Sequence, residues 1–136
     1  MTDHLADRLE ISDLLVRYAT AQDTRDWELL ASCFTEDATL DYDTSGVFDR
    51  SHFVEHCQAG LAPMKATQHH VTNHVIAVDG DAARSTSYVL AQHVRADDVT
   101  FTLGGIYHDD LVRTGDGWRI AARRFVTTWT AGRLRD

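Results

Sequence analysis

An α+β fold, in which three N-terminal helices cover a cone-shaped, curved antiparallel sheet, is the architecture that this chain of 136 residues predicts. Three observations point there. The first half carries apolar residues at helical spacing, the stretch after Pro63 is almost continuous β-rich sequence, and the breaks within that stretch are short hairpin-type turns. No internal repeat, low-complexity segment or composition shift divides residues 1–136, so one domain is expected.

Thr2 or Asp3 can cap a first helix that runs to about Ala21, with Ile11, Leu14, Leu15 and Tyr18 at i, i+3, i+4 and i+7. Trp27, Leu30, Ala31 and Phe34 repeat that spacing in a second helix over about 24–34, which Thr35-Glu36-Asp37 should stop. Asp23 falls at the junction. An Asp just before a helix ordinarily accepts hydrogen bonds from the first turn, and Asp26 three residues on resembles a capping box, so capping stands beside any chemical role. Residues 38–42 alternate as a half-buried strand, Thr44-Ser45-Gly46 turns the chain, and Asp49 caps a third helix that buries Phe53, Val54, Cys57 and Leu61. Four long strands follow at about 66–78, 82–95, 99–113 and 117–130, pairing as a meander, and the pair Gly104-Gly105 marks a bulge or bend that helps curl the sheet.

Composition narrows the function classes. With 43% hydrophobic and 25% charged residues the chain is globular, and its formal charge of -8 repels nucleic-acid phosphates and anionic membranes alike. No apolar run approaches the roughly 18 residues of a membrane span, and the N-terminus lacks a secretory pattern, so a cytoplasmic protein is expected. Cys33 and Cys57 form neither a disulfide framework nor a zinc spacing and read as packing residues.

The strand Gln68-His-His-Val-Thr-Asn-His-Val-Ile-Ala-Val78 supplies the chemistry. Period-two geometry places His69, Val71, Asn73 and Val75 on one face and His70, Thr72, His74 and Ile76 on the other, with the His69 face expected inward. A strand histidine is ordinarily structural, but a helical layer across the sheet would bring Asp23 over His69. A carboxylate that holds one imidazole nitrogen leaves the other free as a base. Tyr18 adds a phenol that can polarise a carbonyl, and Arg123 either neutralises Asp23 or binds developing negative charge. Candidate pocket residues are Trp27, Phe34, Tyr42, Asn73, Tyr88, Tyr107, Phe125 and Trp129, Asn73 either bonding nearby backbone or orienting a hydroxyl. The pairs His52/His56 and His70/His74 lack a third ligand, so they read as surface residues and no metal or other cofactor is expected.

The order Tyr18, Asp23, Trp27, Phe34, Asp37-Ala38, then His69-His-Val-Thr-Asn73, Gly105-Ile-Tyr107 and Gly117-Trp-Arg-Ile120 resembles SnoaL-like proteins of the nuclear transport factor 2-like superfamily, over nearly the whole chain. It looks most like the branch containing scytalone dehydratase, hexachlorocyclohexane dehydrochlorinase and bile-acid 7α-dehydratase. The resemblance implies an Asp/His pair at Asp23 and His69, a matching tyrosine at Tyr18 and arginine at Arg123, cofactor-free elimination chemistry, and a homo-oligomer, as a trimer or a dimer. The expected function is a cofactor-independent lyase or isomerase acting on a small hydrophobic cyclic molecule. A non-catalytic binding or assembly module and a polyketide cyclase are the alternatives, since one fold hosts many functions.

Overall fold

The computed structural model describes residues 4–134, so the expected caps Thr2 and Asp3 lie outside the described residues. Helix α1 (Leu5–Thr24) buries Ile11, Leu14, Leu15, Tyr18 and Gln22 along one stripe. The chain leaves it through Arg25, whose φ of 61° is left-handed and whose N–H donates to the carbonyls of Ala21 and Gln22. Asp26 then caps the short helix α2 (Trp27–Ser32), accepting the Leu29 N–H at 3.0 Å. Helix α1 thus passes Ala21, and Asp23 sits in its last turn with its carboxylate released from capping, because Asp26 performs it.

Phe34 was expected in the second helix but opens β1 (Phe34–Asp41). Its backbone pairs in parallel with β6 (Gly117–Gly132), Phe34 standing opposite Ile120, and the Ile120 N–H donates to the Cys33 carbonyl at 2.9 Å. A 3-10 turn at Asp43–Ser45 and the short strand β2 (Val47–Phe48) lead to α3 (Arg50–Leu61), where Asp49 accepts the His52 N–H at 2.9 Å. Strands β3 (Met64–Asp79), β4 (Ala82–Arg95) and β5 (Thr100–Thr114) complete the sheet, in the order β2-β1-β6-β5-β4-β3. β3 to β6 form the expected meander. The parallel joint between β1 and β6 is an addition that alternation along one strand does not reveal.

The helices lie on one face of this sheet. Helix α1 is fastened there by an ionic clamp: Arg113 donates to both Asp7 oxygens at 2.7 and 3.0 Å, the Trp118 indole N–H donates to Asp7 at 3.1 Å, and the Trp118 backbone N–H donates to Glu10 at 2.9 Å. The Arg113 hydrogen bonds are the chief reason that the Asp7 carboxyl drops to about 2.

Two irregularities decide which side chains face the helices. In β3 the register to β4 shifts between Thr72 and Val75, and Asn73 adopts a left-handed φ of 56°. His69 and Val71 therefore point inward as expected, but beyond the bulge the parity reverses. Asn73 and Val75 turn outward, Val75 being 70% exposed, while His74, Ile76 and Val78 turn toward the helices. The second irregularity lies between β5 and β6 at Gly104 and Gly105. A Cβ on Gly104 would collide with the Trp129 indole, and one on Gly105 with the Phe125 ring and the Val126 carbonyl. Each glycine accepts an aromatic ring from β6, one on each face of the sheet.

Candidate active site

The inward face of β4 reads Ala83, Ser85, Ser87, Val89, Ala91 and His93, mostly small residues. Of these Val89, Ala91 and His93 stand at a cavity of about 770 Å3 between sheet and helices. Apolar walls come from Phe53, Val89, Ala91, Leu103 and Phe125, while exposed Asp43, Thr44, Ser45 and His56 stand at the mouth.

Asp23 and His69 meet at this cavity. Asp23 Oδ1 lies 2.7 Å from His69 Nδ1, its Oδ2 accepts the His69 backbone N–H at 2.8 Å, and Thr67 Oγ1 donates to Oδ1 at 3.1 Å. Burial pushes the Asp23 carboxyl up, but the hydrogen bonds from His69 and Thr67 outweigh it and hold the group below the ordinary 3.8. An ionised carboxylate only accepts, so Nδ1 carries a ring hydrogen, and the neutral imidazole then keeps its lone pair on Nε2. His69 lines the cavity with its side chain 9% exposed, and Asp23 is 23% exposed behind it.

His93, which the sequence reading passed over, lines the same end. Its ring centroid lies 5.8 Å from that of His69, edge to face, and its Nδ1 is 3.3 Å from the Phe101 carbonyl. A carbonyl only accepts, so this second imidazole also presents Nε2 as its unprotonated nitrogen. Burial first, and the neighbouring His69 second, push His93 below 6.5 and favour its neutral form.

A phenol cluster occupies another part of the wall. Tyr18 Oη accepts from Gln22 Nε2 at 3.2 Å and from Tyr107 Oη at 3.4 Å, and lies 2.7 Å from Tyr42 Oη. With both lone pairs of Tyr18 occupied, its hydrogen goes to Tyr42. Tyr42 also accepts from Arg123 Nη1 at 3.2 Å, so its own O–H is the one without a partner in the cluster, at a residue that lines the cavity. Burial raises all three phenols well above 10, so they stay protonated donors.

Arg123 departs from both expectations. It makes no pair with Asp23. Instead Nε and Nη2 grip the two oxygens of Asp109 at 2.7 and 2.9 Å, both side chains are fully buried, and the guanidinium stacks on Tyr107 at 3.8 Å and Tyr18 at 4.3 Å. It backs the phenols without lining the cavity. Asp109 shares the inward parity of Tyr107 and Leu111, whereas Asp110 is exposed.

Of the expected pocket residues, Tyr42, Tyr107 and Phe125 line the cavity. Trp27 packs on the outside of the core, and Phe34 is buried within it, edge-on to Tyr18 and Phe53, because it begins β1. Asn73, Tyr88 and Trp129 are exposed on the outer face of the sheet, Asn73 turned there by its bulge and Trp129 laid over Gly104. His74 is not a surface partner of His70; it turns inward and bonds Ser87 Oγ at 2.9 Å. His52 bonds Asp49 at 2.8 Å, and His56 stacks on Phe48 at the cavity mouth. Cys33 is a buried free thiol, and Cys57, also free, is raised to about 12 by burial beside Gln22.

Comparison with known proteins gives the family. The SnoaL-like domain family matches residues 3–124. An uncharacterized protein of Mycobacterium tuberculosis, Rv2910c, is 38% identical over 123 residues, spanning 88% of this chain and 84% of that protein. Terrestric acid biosynthesis cluster protein E of Penicillium crustosum is 33% identical over 97% of this chain and 90% of its own length. Among solved structures, a protein of Novosphingobium aromaticivorans provisionally assigned as a scytalone dehydratase superposes with a TM-score of 0.88 at 28% identity, covering 96% of this chain and 91% of that one. A hexachlorocyclohexane dehydrochlorinase, at 22% identity and a TM-score of 0.86 over 96% and 90% of the two chains, shares the fold.

Proposed function

Because the chain belongs to the SnoaL-like domain family, and because its cavity joins a carboxylate-held imidazole to a phenol donor, we propose that it is a cofactor-independent lyase or isomerase acting on a small apolar cyclic compound. The observation that carries this reading is the 2.7 Å contact between Asp23 and His69 Nδ1, which leaves Nε2 as a base at the cavity wall. In the proposed reaction His69 Nε2 takes a proton from a carbon next to a carbonyl. The electron pair moves onto the carbonyl oxygen, where Tyr42 O–H donates to it, and then returns to form a double bond as a leaving group departs from the adjacent carbon, or is reprotonated at another carbon. Asp23 balances the imidazolium that forms.

The solved neighbour assigned as a scytalone dehydratase supports an elimination, and the relative from a fungal biosynthesis cluster supports a secondary-metabolite substrate. The test is deuterium exchange in D2O at the carbon beside the carbonyl, across a panel of cyclic ketones and hydroxy-enones, read by mass spectrometry. The enzyme should catalyse exchange of at least one compound, and His69→Ala should reduce that rate by about 10²–10⁴-fold. A folded His69→Ala that exchanges at the wild-type rate would remove His69 as the base, and a wild type that exchanges none of the panel would leave the binding-module reading in its place.

A further inference from the structure

We infer that Asp109 sets the ligand charge this cavity accepts, so that neutral molecules enter and their carboxylate analogues are excluded. The inference rests on the proposed use of the same cavity, but not on its chemistry. Among the described residues that line the cavity there is no lysine or arginine. The nearest guanidinium behind the phenol wall is Arg123, and its charge is fully engaged. Asp109 holds Nε and Nη2 through two short contacts, both partners are 0% exposed, and the remaining Nη1 is given to Tyr42. The phenol wall therefore offers a hydrogen bond with almost no net charge behind it. The carboxylates nearest the cavity favour the same choice. Asp23 stands behind His69, Asp43 stands at the mouth, and burial keeps His93 neutral. Arg25 lies outside the lining and donates to the Met64 carbonyl at 3.2 Å.

A free Arg123 would turn the phenol wall into an anion site, because its field would act through the three rings with little solvent to screen it. Asp109 prevents that. It acts through Arg123 and Tyr42 without touching the ligand, and is therefore a positioning and specificity residue.

The test uses two probes of matched size, 2-naphthol, neutral at pH 7, and 2-naphthoate, anionic, titrated by calorimetry into the full chain. Wild type should bind the naphthol more tightly than the naphthoate by about tenfold or more. Asp109→Asn should raise naphthoate affinity by about tenfold, and Asp109→Asn with Arg123→Gln, which restores a neutral pair, should return the wild-type preference. Naphthoate binding to wild type as well as naphthol, or a folded Asp109→Asn with unchanged preference, would overturn the inference. If Asp109→Asn does not fold, the double variant decides: it must keep the neutral preference. None of these outcomes depends on turnover, so the inference can fail while the deuterium exchange stands, and the reverse.

Discussion

Replacing Asp23 with Asn changes one atom and removes one charge, and the geometry says what should follow. The carboxylate accepts from three donors, His69 Nδ1, the His69 backbone N–H and Thr67 Oγ1. An amide can present oxygen to only part of that set. If its NH2 faces the ring, His69 must accept there, and the hydrogen moves to Nε2, which abolishes the base. If its oxygen faces the ring, the tautomer survives, but the NH2 confronts the backbone N–H and the imidazolium loses its counter-charge. With charge centres about 4 Å apart and an effective dielectric of about 20, that lost attraction is about 4 kcal/mol, or about 10³ in rate. Exposures of 9% and 23% keep the pair from the screening that would erase such an effect at the surface. Folding should suffer by only about 1–2 kcal/mol, because Thr67 and one His69 contact can persist. The assay is deuterium exchange beside a thermal melt. Exchange at the wild-type rate in a folded Asp23→Asn protein would refute the argument.

Three further outcomes follow from the geometry. Tyr42→Phe should lower turnover by about 10²-fold, and Tyr18→Phe by clearly less, because the unshared O–H belongs to Tyr42; equal losses in steady-state kinetics would contradict that donor count. His93 is held below 6.5 by burial, so the unfolded chain takes up a proton there before the folded one does. Stability from this group is present above 6.5 and declines as pH falls toward the folded value, and melting temperatures from about pH 8 to 5 should show a shallower decline in His93→Gln. Gly105→Ala should destabilise by about 1–3 kcal/mol because the new methyl meets a backbone carbonyl as well as Phe125, whereas Gly104→Ala meets only the exposed Trp129 side chain, which can swing away; denaturant melts would rank the two.

Helical and strand periodicity foresaw three helices and a four-strand meander, and a helical layer over the sheet together with the family resemblance pointed Asp23 toward His69. What lay beyond reach depended on partners distant in sequence. Phe34 carries a helical spacing from Trp27, yet the backbone around it finds Ile120 and becomes strand. Alternation also assumes an unbroken strand, so Asn73 and Val75 were assigned inward until the bulge reversed them. Asp109 and His93 were legible in principle: each shares the parity of buried neighbours, Tyr107 and Leu111 for one, Val89 and Ala91 for the other. A carboxylate and a lone imidazole break the apolar pattern by which a buried face is ordinarily recognised. Arg123 was expected to neutralise Asp23 or to bind developing negative charge, and its actual partner follows from the β5–β6 register, which sets Asp109 opposite it.

The bulge at Asn73 splits β3 into two halves with separate employers. Upstream, the ribbon serves the imidazole; downstream, it serves the seal against the first helix with Ile76 and Val78. Excising Asn73 would remove the reset, and every side chain on one flank would swing through half a turn. Either the base would leave the chamber or the seal would open, so this single left-handed residue lets chemistry and closure be tuned independently on one continuous ribbon.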